Sequence, residues 1–267
     1  MKIQLNGKPY IAKKGITLLA LAAEVQPCAD VRILNGYQTE EDLPVSEGDT
    51  VSLIVKGTMP DADVLESMMA ARHTPQVHTK VKQARVAVAG LGGLGSNIAL
   101  MLARTGVGEL LLVDFDVVEP SNLNRQCYSI CHLGMKKTDA MAEQIRQINP
   151  YIQVKTQNCR VTAQNAAGLF AEYPFVCEAF DNPAAKAMLV NTLLEQCPNC
   201  VVVSASGMAG YGSANCIRTE KRFSRLYVCG DGESEAMPGC GLMAPRVTVC
   251  AAHQANLVLR LILGLDA

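Results

Sequence analysis

The chain of 267 residues is 49% hydrophobic and 18% charged. That balance excludes a disordered chain, and at ~150 residues per domain it allows one large domain or a large one with a small companion. The 24 Lys and Arg against 25 Asp and Glu leave a net charge of −1, so no global basic field draws in nucleic acid or an anionic membrane, and any phosphate binding must be local. No apolar run reaches the ~18–20 residues that a bilayer demands, and Met1-Lys2-Ile3-Gln4-Leu5 is too polar to open a signal peptide. A cytoplasmic protein with no membrane or nucleic-acid partner is expected. The 11 cysteines are an odd number scattered through a long chain, which points to reduced thiols over a disulfide framework.

From Met1 to Met59 the chain reads as a small unit of its own. Lys2 to Leu5 alternates, Asn6-Gly7 signals a type I′ turn, and Tyr10-Ile11-Ala12 returns as the second strand of a hairpin. Thr17 caps a helical run with Leu18, Leu19, Leu21, Ala22 and Val25, which ends near Pro27. Strands at Val31 to Leu34 and Val51 to Val55 complete the order β, β, α, β, β. Residues 60–84 are polar and helix-competent, with Asp61 or Asp63 as cap, and predict one connecting helix.

From Arg85 onwards strands and helices alternate. Arg85 to Ala89 is a buried strand, followed by Gly90-Leu91-Gly92-Gly93-Leu94-Gly95, a helix from Ser96 to Thr105 and a second strand from Glu109 to Val113 that ends on Asp114. A helix over Lys137 to Gln147, a strand at Gln153 to Thr156, a helix at Ala163 to Ala171 and strands at Phe175 to Ala179 and Val201 to Val203 continue the pattern. This predicts an α/β fold with a doubly wound, Rossmann-like, mostly parallel sheet. Gly207 to Gly241 reads as loop, and a last apolar helix covers Val247 to Leu263.

Gly90, Gly92, Gly93 and Gly95 between a strand and a helix let the chain turn sharply and bring phosphate against backbone N–H groups at a helix amino end. Asp114, 19 positions after Gly95, stands where an acid accepts hydrogen bonds from a ribose. Up to here a nicotinamide-dependent dehydrogenase fits equally well. The following stretch, with Asp116, Ser121, Asn122, Arg125 and Gln126, holds more acids, amides and cations than a dinucleotide ribose needs. A carboxylate attacking the α-phosphate of a nucleoside triphosphate does need them, with Arg125 and Lys137 as the natural cations. Asp181, just past an apolar strand, lies where doubly wound sheets bind ligands, although a cap before Pro183 explains it as well.

Gly90-Leu-Gly-Gly-Leu-Gly95, Val113-Asp-Phe-Asp116, Ser121-Asn-Leu-Asn-Arg-Gln126, Gly134-x-x-Lys137 and Asp181-Asn182 occur in the order found in the ThiF/MoeB/HesA family, and the chain from Arg85 to its end resembles these prokaryotic relatives of ubiquitin-activating enzymes. The resemblance implies adenylylation of the terminal glycine of a separate ubiquitin-like, Gly-Gly-ended sulfur carrier, with ATP and Mg2+. It further implies Asp114 on the ribose, Asn122, Arg125 and Lys137 on phosphates, Asp181 on magnesium, and a homodimer. Met1 to Gly57 resembles the carrier itself, a β-grasp domain, and the combination is similar to the ThiF group with a fused carrier-like domain that serves thiamine thiazole synthesis. A cysteine desulfurase is then the expected sulfur donor.

Four further features bear on that resemblance. Relatives bind zinc through two C-x-x-C pairs, whereas Cys197-Pro-Asn-Cys200 is one pair and supplies two of four ligands, so no zinc is expected. Cys229 and Cys240 fall in the stretch where relatives carry a crossover loop, and Cys240, beside Gly239, is the better candidate to receive sulfur; Cys177 and Cys250 read as core. An arginine upstream of the phosphate loop often reaches a partner's triphosphate in relatives, and Arg72 is the nearest here. The carrier-like domain continues past Gly57 into Thr58, so it has no free carboxylate and is expected never to be a substrate. Alternatives to carrier adenylylation are a dehydratase acting on threonylcarbamoyladenosine of tRNA, an NAD(P)-dependent oxidoreductase, and an inactive module that only docks the carrier.

Overall fold

The computed structural model describes residues 1–74 and 76–265. Pro75, inside the expected connecting helix, and Asp266 and Ala267, at the end of the expected catalytic domain, lie outside the described residues. The chain divides into two compact units, Met1–Thr79 and Lys80–Ala267.

In the first unit β1 (Lys2–Leu5) and β2 (Lys8–Ile11) form the expected hairpin. Asn6 and Gly7 both take positive φ, 48° and 78°, as a turn matching the right-handed strand twist requires. Thr17 caps α1 (Leu18–Val25) by accepting the Ala20 N–H at 3.4 Å. β3 (Val31–Leu34) turns through Asn35-Gly36 into β4 (Tyr37–Gln38), a two-residue strand that alternation over so short a span could not signal, and β5 (Thr50–Ile54) follows. The sheet order is β2-β1-β5-β3-β4, with β1 and β5 parallel at its centre. Leu18 and Leu21 of α1 close the core against Ile3, Leu5, Val51 and Leu53.

The expected single connecting helix is two, α2 (Ala62–Met69) and α3 (Val77–Gln83). Gln76 between them has φ +71°, a left-handed conformation through which a helix cannot continue. The residue just before α2 is Asp61, and α2 already includes position 63. Ser67 of α2 presses on the first hairpin so closely that a Cβ on Gly7 would lie 2.5 Å from the Ser67 Cβ.

The second unit is a seven-stranded sheet. β6 (Arg85–Ala89), α4 (Gly93–Thr105), β7 (Glu109–Val113), α5 (Lys137–Ile148), β8 (Gln153–Gln157), α6 (Ala166–Phe170) and β9 (Phe175–Glu178) come first. Then come α7 (Pro183–Gln196), β10 (Val201–Ala205), β11 (Arg218–Phe223), β12 (Leu226–Gly230) and α8 (Ala244–Ile262). The order is β11-β12-β10-β9-β6-β7-β8, parallel except for edge strand β11. The Rossmann-like α/β expectation therefore holds, and β6 stands where the connections diverge to either side, the position at which such sheets bind ligands.

Two stretches differ from the expectation. The region expected as loop, Gly207 to Gly241, contains β11 and β12; β12 pairs with β10 and extends the parallel sheet. Its apolar signal is short and flanked by charges and glycines, and the neighbouring strand supplies what local pattern lacks. Between Asp181 and Val201 lies α7, whose small hydrophobic face left little periodicity to read. Arg225 anchors its end by donating to the carbonyls of Leu194, Cys197 and Cys200 at 2.6–2.9 Å.

Candidate nucleotide site at the β6–α4 turn

The glycines are required by space as well as by conformation. Gly90 has φ +90°, and a Cβ there would lie 3.0 Å from the Ala179 carbonyl oxygen. A Cβ on Gly95 would lie 1.8 Å from the Gly90 carbonyl oxygen, so the first turn of α4 sits directly on the loop. Gly93 and Gly95 belong to α4 itself, which begins three residues before the expected Ser96. Gly92 differs, because a Cβ there would meet only the Gln126 Nε2, at 4.0 Å. This leaves a polar-rimmed opening over the helix amino end, where unpaired N–H groups and the helix dipole favour an anion.

The β7 end closes one side. Asp114, 8% exposed, accepts the Leu91 N–H at 2.6 Å and the Asp116 N–H at 2.8 Å. Burial pushes its carboxyl pKa up, and the two N–H donors and Lys137 oppose that. The acid thus braces the loop, and its oxygens retain further lone pairs for a ribose. Lys137 opens α5 with its side chain buried, and its Nζ reaches Asp116 Oδ2 at 3.1 Å. Lys136 beside it is exposed.

The 119–128 stretch wraps the front of the loop. Asn122 is buried in a short 3₁₀ turn, Pro120–Asn122, and its Oδ1 accepts the Glu119 N–H at 3.1 Å while its Nδ2 lies 3.5 Å from the Ser121 hydroxyl. Arg125, half-buried, packs its stem near Gly93 and donates to the Ser121 carbonyl and Asn124 Oδ1. Among the described residues it makes no ion pair, so its guanidinium is held by neutral acceptors that an anion can outcompete. Gln126 is buried, and its Oε1 has no hydrogen-bond partner among the described residues. Tyr128, which sequence reading passed over, donates its hydroxyl to the Leu91 carbonyl at 2.9 Å.

On the other side, β9 leads into Asp181 and Asn182. Asn182 is the cap of α7, its Oδ1 accepting the Ala185 N–H at 3.0 Å. Asp181 is exposed and is not the cap. Missed altogether was Glu178, fully buried and bonded to Phe180, Lys186 and Ser204. Its signal was an acid inside an apolar strand.

The remaining candidates have surroundings of their own. Arg72 belongs to the first unit, where its guanidinium bonds Gln38. Cys229 is buried in β12, not in a loop, and burial raises its thiol to about 11. Cys177 and Cys250 are buried core as expected. Cys197 and Cys200 are buried where α7 ends, and burial, with Cys197 adjacent, raises the Cys200 thiol to about 11. Cys240 is half-buried in a turn, its sulfur 2.9 Å from where a Gly210 Cβ would stand. The turn closes by the Cys240 N–H donating to the Met237 carbonyl at 2.8 Å, and the Gly210 N–H donates to the Gly241 carbonyl at 2.7 Å. Arg246 donates to the Ala209 carbonyl at 2.7 Å and pairs with Asp231.

Comparison with known proteins agrees with this layout. Family models match residues 66–267 to the ThiF family and 1–57 to a ThiS-like ubiquitin. The adenylyltransferase and sulfurtransferase UBA4 of Saccharomyces cerevisiae is 32% identical over 193 residues, 70% of this chain and 43% of that protein. The corresponding uba4 protein of Aspergillus fumigatus is 42% identical over 118 residues, 44% of this chain and 24% of that one. The chain spans less than half the length of these relatives. Among solved structures, the Escherichia coli tRNA N6-threonylcarbamoyladenosine dehydratase TcdA in complex with ATP aligns with a TM-score of 0.67 at 24% identity, over 74% of this chain and 93% of that one. E. coli MccB with ATP aligns with a TM-score of 0.54 at 23% identity, over 70% and 57%. Both structures share the fold, and the family match spans the glycine loop, Asp114, Lys137 and Asp181 together: the chain belongs to the ThiF family.

Proposed function

We propose that this protein adenylylates the carboxyl-terminal glycine of a separate ubiquitin-like carrier. The carrier carboxylate attacks the α-phosphorus of ATP, the bond to the bridging oxygen breaks, and pyrophosphate leaves. The observation that carries this reading is the opening at Gly92, framed by Gln126, Arg125 and the amino end of α4. It suits a phosphate chain, and in this reading Asp114 takes the ribose and Lys137 the developing charge. The donor set also suits a nucleotide-bound cation, since Mg2+ takes one or two protein carboxylates and completes its shell with phosphate and water oxygens, and Asp181 supplies one. When bound, magnesium neutralises phosphate charge and aligns the leaving group.

The relatives' names support adenylyl transfer, the ThiS-like first domain favours a carrier protein over tRNA as substrate, and the net charge of −1 agrees. The finer reading, a carrier of the thiamine thiazole pathway with a cysteine desulfurase as donor and Cys240 taking part after adenylylation, extends this proposal. So does a homodimer in which Arg72 leaves Gln38 to reach a partner's triphosphate. ATP–pyrophosphate exchange with candidate Gly-Gly carriers tests the central claim. Exchange that requires carrier is the expected result. Carrier binding without exchange would make the chain a docking module, and a spectral response to NADH would return it to the dehydrogenases.

A further inference from the structure

Glu178 is a carboxylate with no exposed surface that the proposed chemistry leaves idle. It closes β9 and takes three donors. Its Oε1 accepts the Phe180 N–H at 2.7 Å, and its Oε2 accepts Lys186 Nζ and Ser204 Oγ, each at 2.5 Å. Burying an ion pair brings little net stability, because desolvating both charges offsets their attraction. What the arrangement supplies is geometry. The Oε1 bond spans two residues and bends the chain just past β9, while Oε2 ties β10 and the first turn of α7 to the same point.

The backbone around it is pinned as well. The Ala179 N–H donates to the Ala89 carbonyl at 2.9 Å, and Gln254 of α8 donates to the carbonyls of Glu178 and Val203 at 3.2 and 3.0 Å. The Ala179 carbonyl and the Phe180 ring both stand 3.0 Å from where a Gly90 Cβ would be. Asp181 follows at once, between Phe180, held by Glu178, and Asn182, fixed as the helix cap.

We propose that Glu178 is a positioning residue whose bond to the Phe180 N–H sets where Asp181 stands against the phosphate loop, and so sets the affinity of the nucleotide complex for its divalent cation. This rests on the adenylylation reading. Lys186 is then the charge partner of Glu178 and has no part in phosphate binding.

Two double variants of the full chain separate the turn from the charge. Glu178→Gln with Lys186→Met removes both charges but keeps an amide oxygen for the Phe180 N–H. Glu178→Met with Lys186→Met has similar volume and no acceptor. Magnesium affinity is read from the magnesium-dependent rise in melting temperature with a non-hydrolysable ATP analogue, and again from pyrophosphate exchange. The methionine pair should bind magnesium about tenfold more weakly, with the ATP KM at saturating magnesium within about twofold of wild type. The glutamine pair and Ser204→Ala should keep the wild-type magnesium dependence. A wild-type profile in the methionine pair overturns the proposal, as does an equal shift in the glutamine pair. If the methionine pair does not fold, a shifted profile in either the glutamine pair or Ser204→Ala still overturns it. Wild-type protein that binds the analogue with no magnesium increment refutes the metal role of Asp181 itself, and this inference with it.

Discussion

Lys137 and Arg125 carry the same formal charge, but the structure gives them different tasks. Lys137 is buried against Asp116, so Lys137→Ala leaves an acid without its partner beside the loop as well as removing a cation proposed to meet the phosphates. Arg125 rests on neutral oxygens, so Arg125→Ala removes the cation alone. Both should slow carrier-dependent exchange by about 100-fold or more, while the drop in melting temperature should be larger for Lys137→Ala. Thermal unfolding beside exchange kinetics checks the pair, and unchanged exchange in both would leave the phosphate roles without support. Asp181 is exposed and does not cap α7, so Asp181→Ala should abolish exchange at wild-type thermal stability. Full activity in that variant would remove it from the site.

At the scale of elements, two arginines hold segments that local propensity does not. Arg225 spans three carbonyls at the end of α7. Hydrogen bonds from a charged donor are worth ~1.5–3 kcal/mol each, and part is regained from water, so Arg225→Ala should destabilise by about 3 kcal/mol in urea unfolding. Arg225→Lys should recover only part, because an ammonium lacks the fork that reaches several carbonyls at once. Arg246 and Asp231 join the segments at Gly207–Ala209 and Asp231–Ser234. Burial alone would push the Asp231 carboxyl up, but the Ser234 hydroxyl, the N–H groups of Ser234 and Glu233 and the Arg246 guanidinium hold it well below the usual carboxylate range. A carboxyl depressed by folding contributes its full stabilisation above its unfolded pKa and loses it as pH falls through the folded value. The stability gap between wild type and Asp231→Asn should therefore be constant above about pH 5 and close as pH falls from about 4 toward 2. A gap independent of pH down to that range would show that Asp231 is not ionised in the fold.

For the molecule as a whole the question is what the first unit does beside a ThiF-family domain proposed to adenylylate carriers. Adenylylation needs a free carboxylate on a tail thin enough to enter the site, and here Gly57 runs on into Thr58, whose hydroxyl donates back to the Val55 carbonyl at 2.9 Å. Full-length protein with ATP and magnesium alone should therefore show no self-adenylate by intact mass, while an added Gly-Gly carrier should gain one. Deleting residues 1–57 should change carrier affinity or solubility and leave nucleotide binding at the Gly90 loop. An adenylate on a fragment ending at Gly57 would identify the domain as a processed carrier.

Much of this was legible in one dimension. A glycine loop between a strand and a helix, an acid at the next strand end and a lysine opening a later helix are local patterns, because sharp turns, helix amino ends and strand termini are specified by neighbours in sequence. The alternation from Arg85 implied the parallel sheet for the same reason. Other features arose only when distant segments met. β11 and β12 became strands because β10 offers an edge to pair with, and the connecting segment broke at Gln76, a residue whose type does not announce a left-handed conformation. Gly95 reads as a phosphate glycine, yet the structure shows it to be demanded by the Gly90 carbonyl. Glu178 drew no reading from the sequence, because its partners Lys186, eight residues on, and Ser204, on the next strand, meet it only in the fold. Burial, partnership and close approach are properties of pairs of residues in space, and those the tertiary structure alone decided.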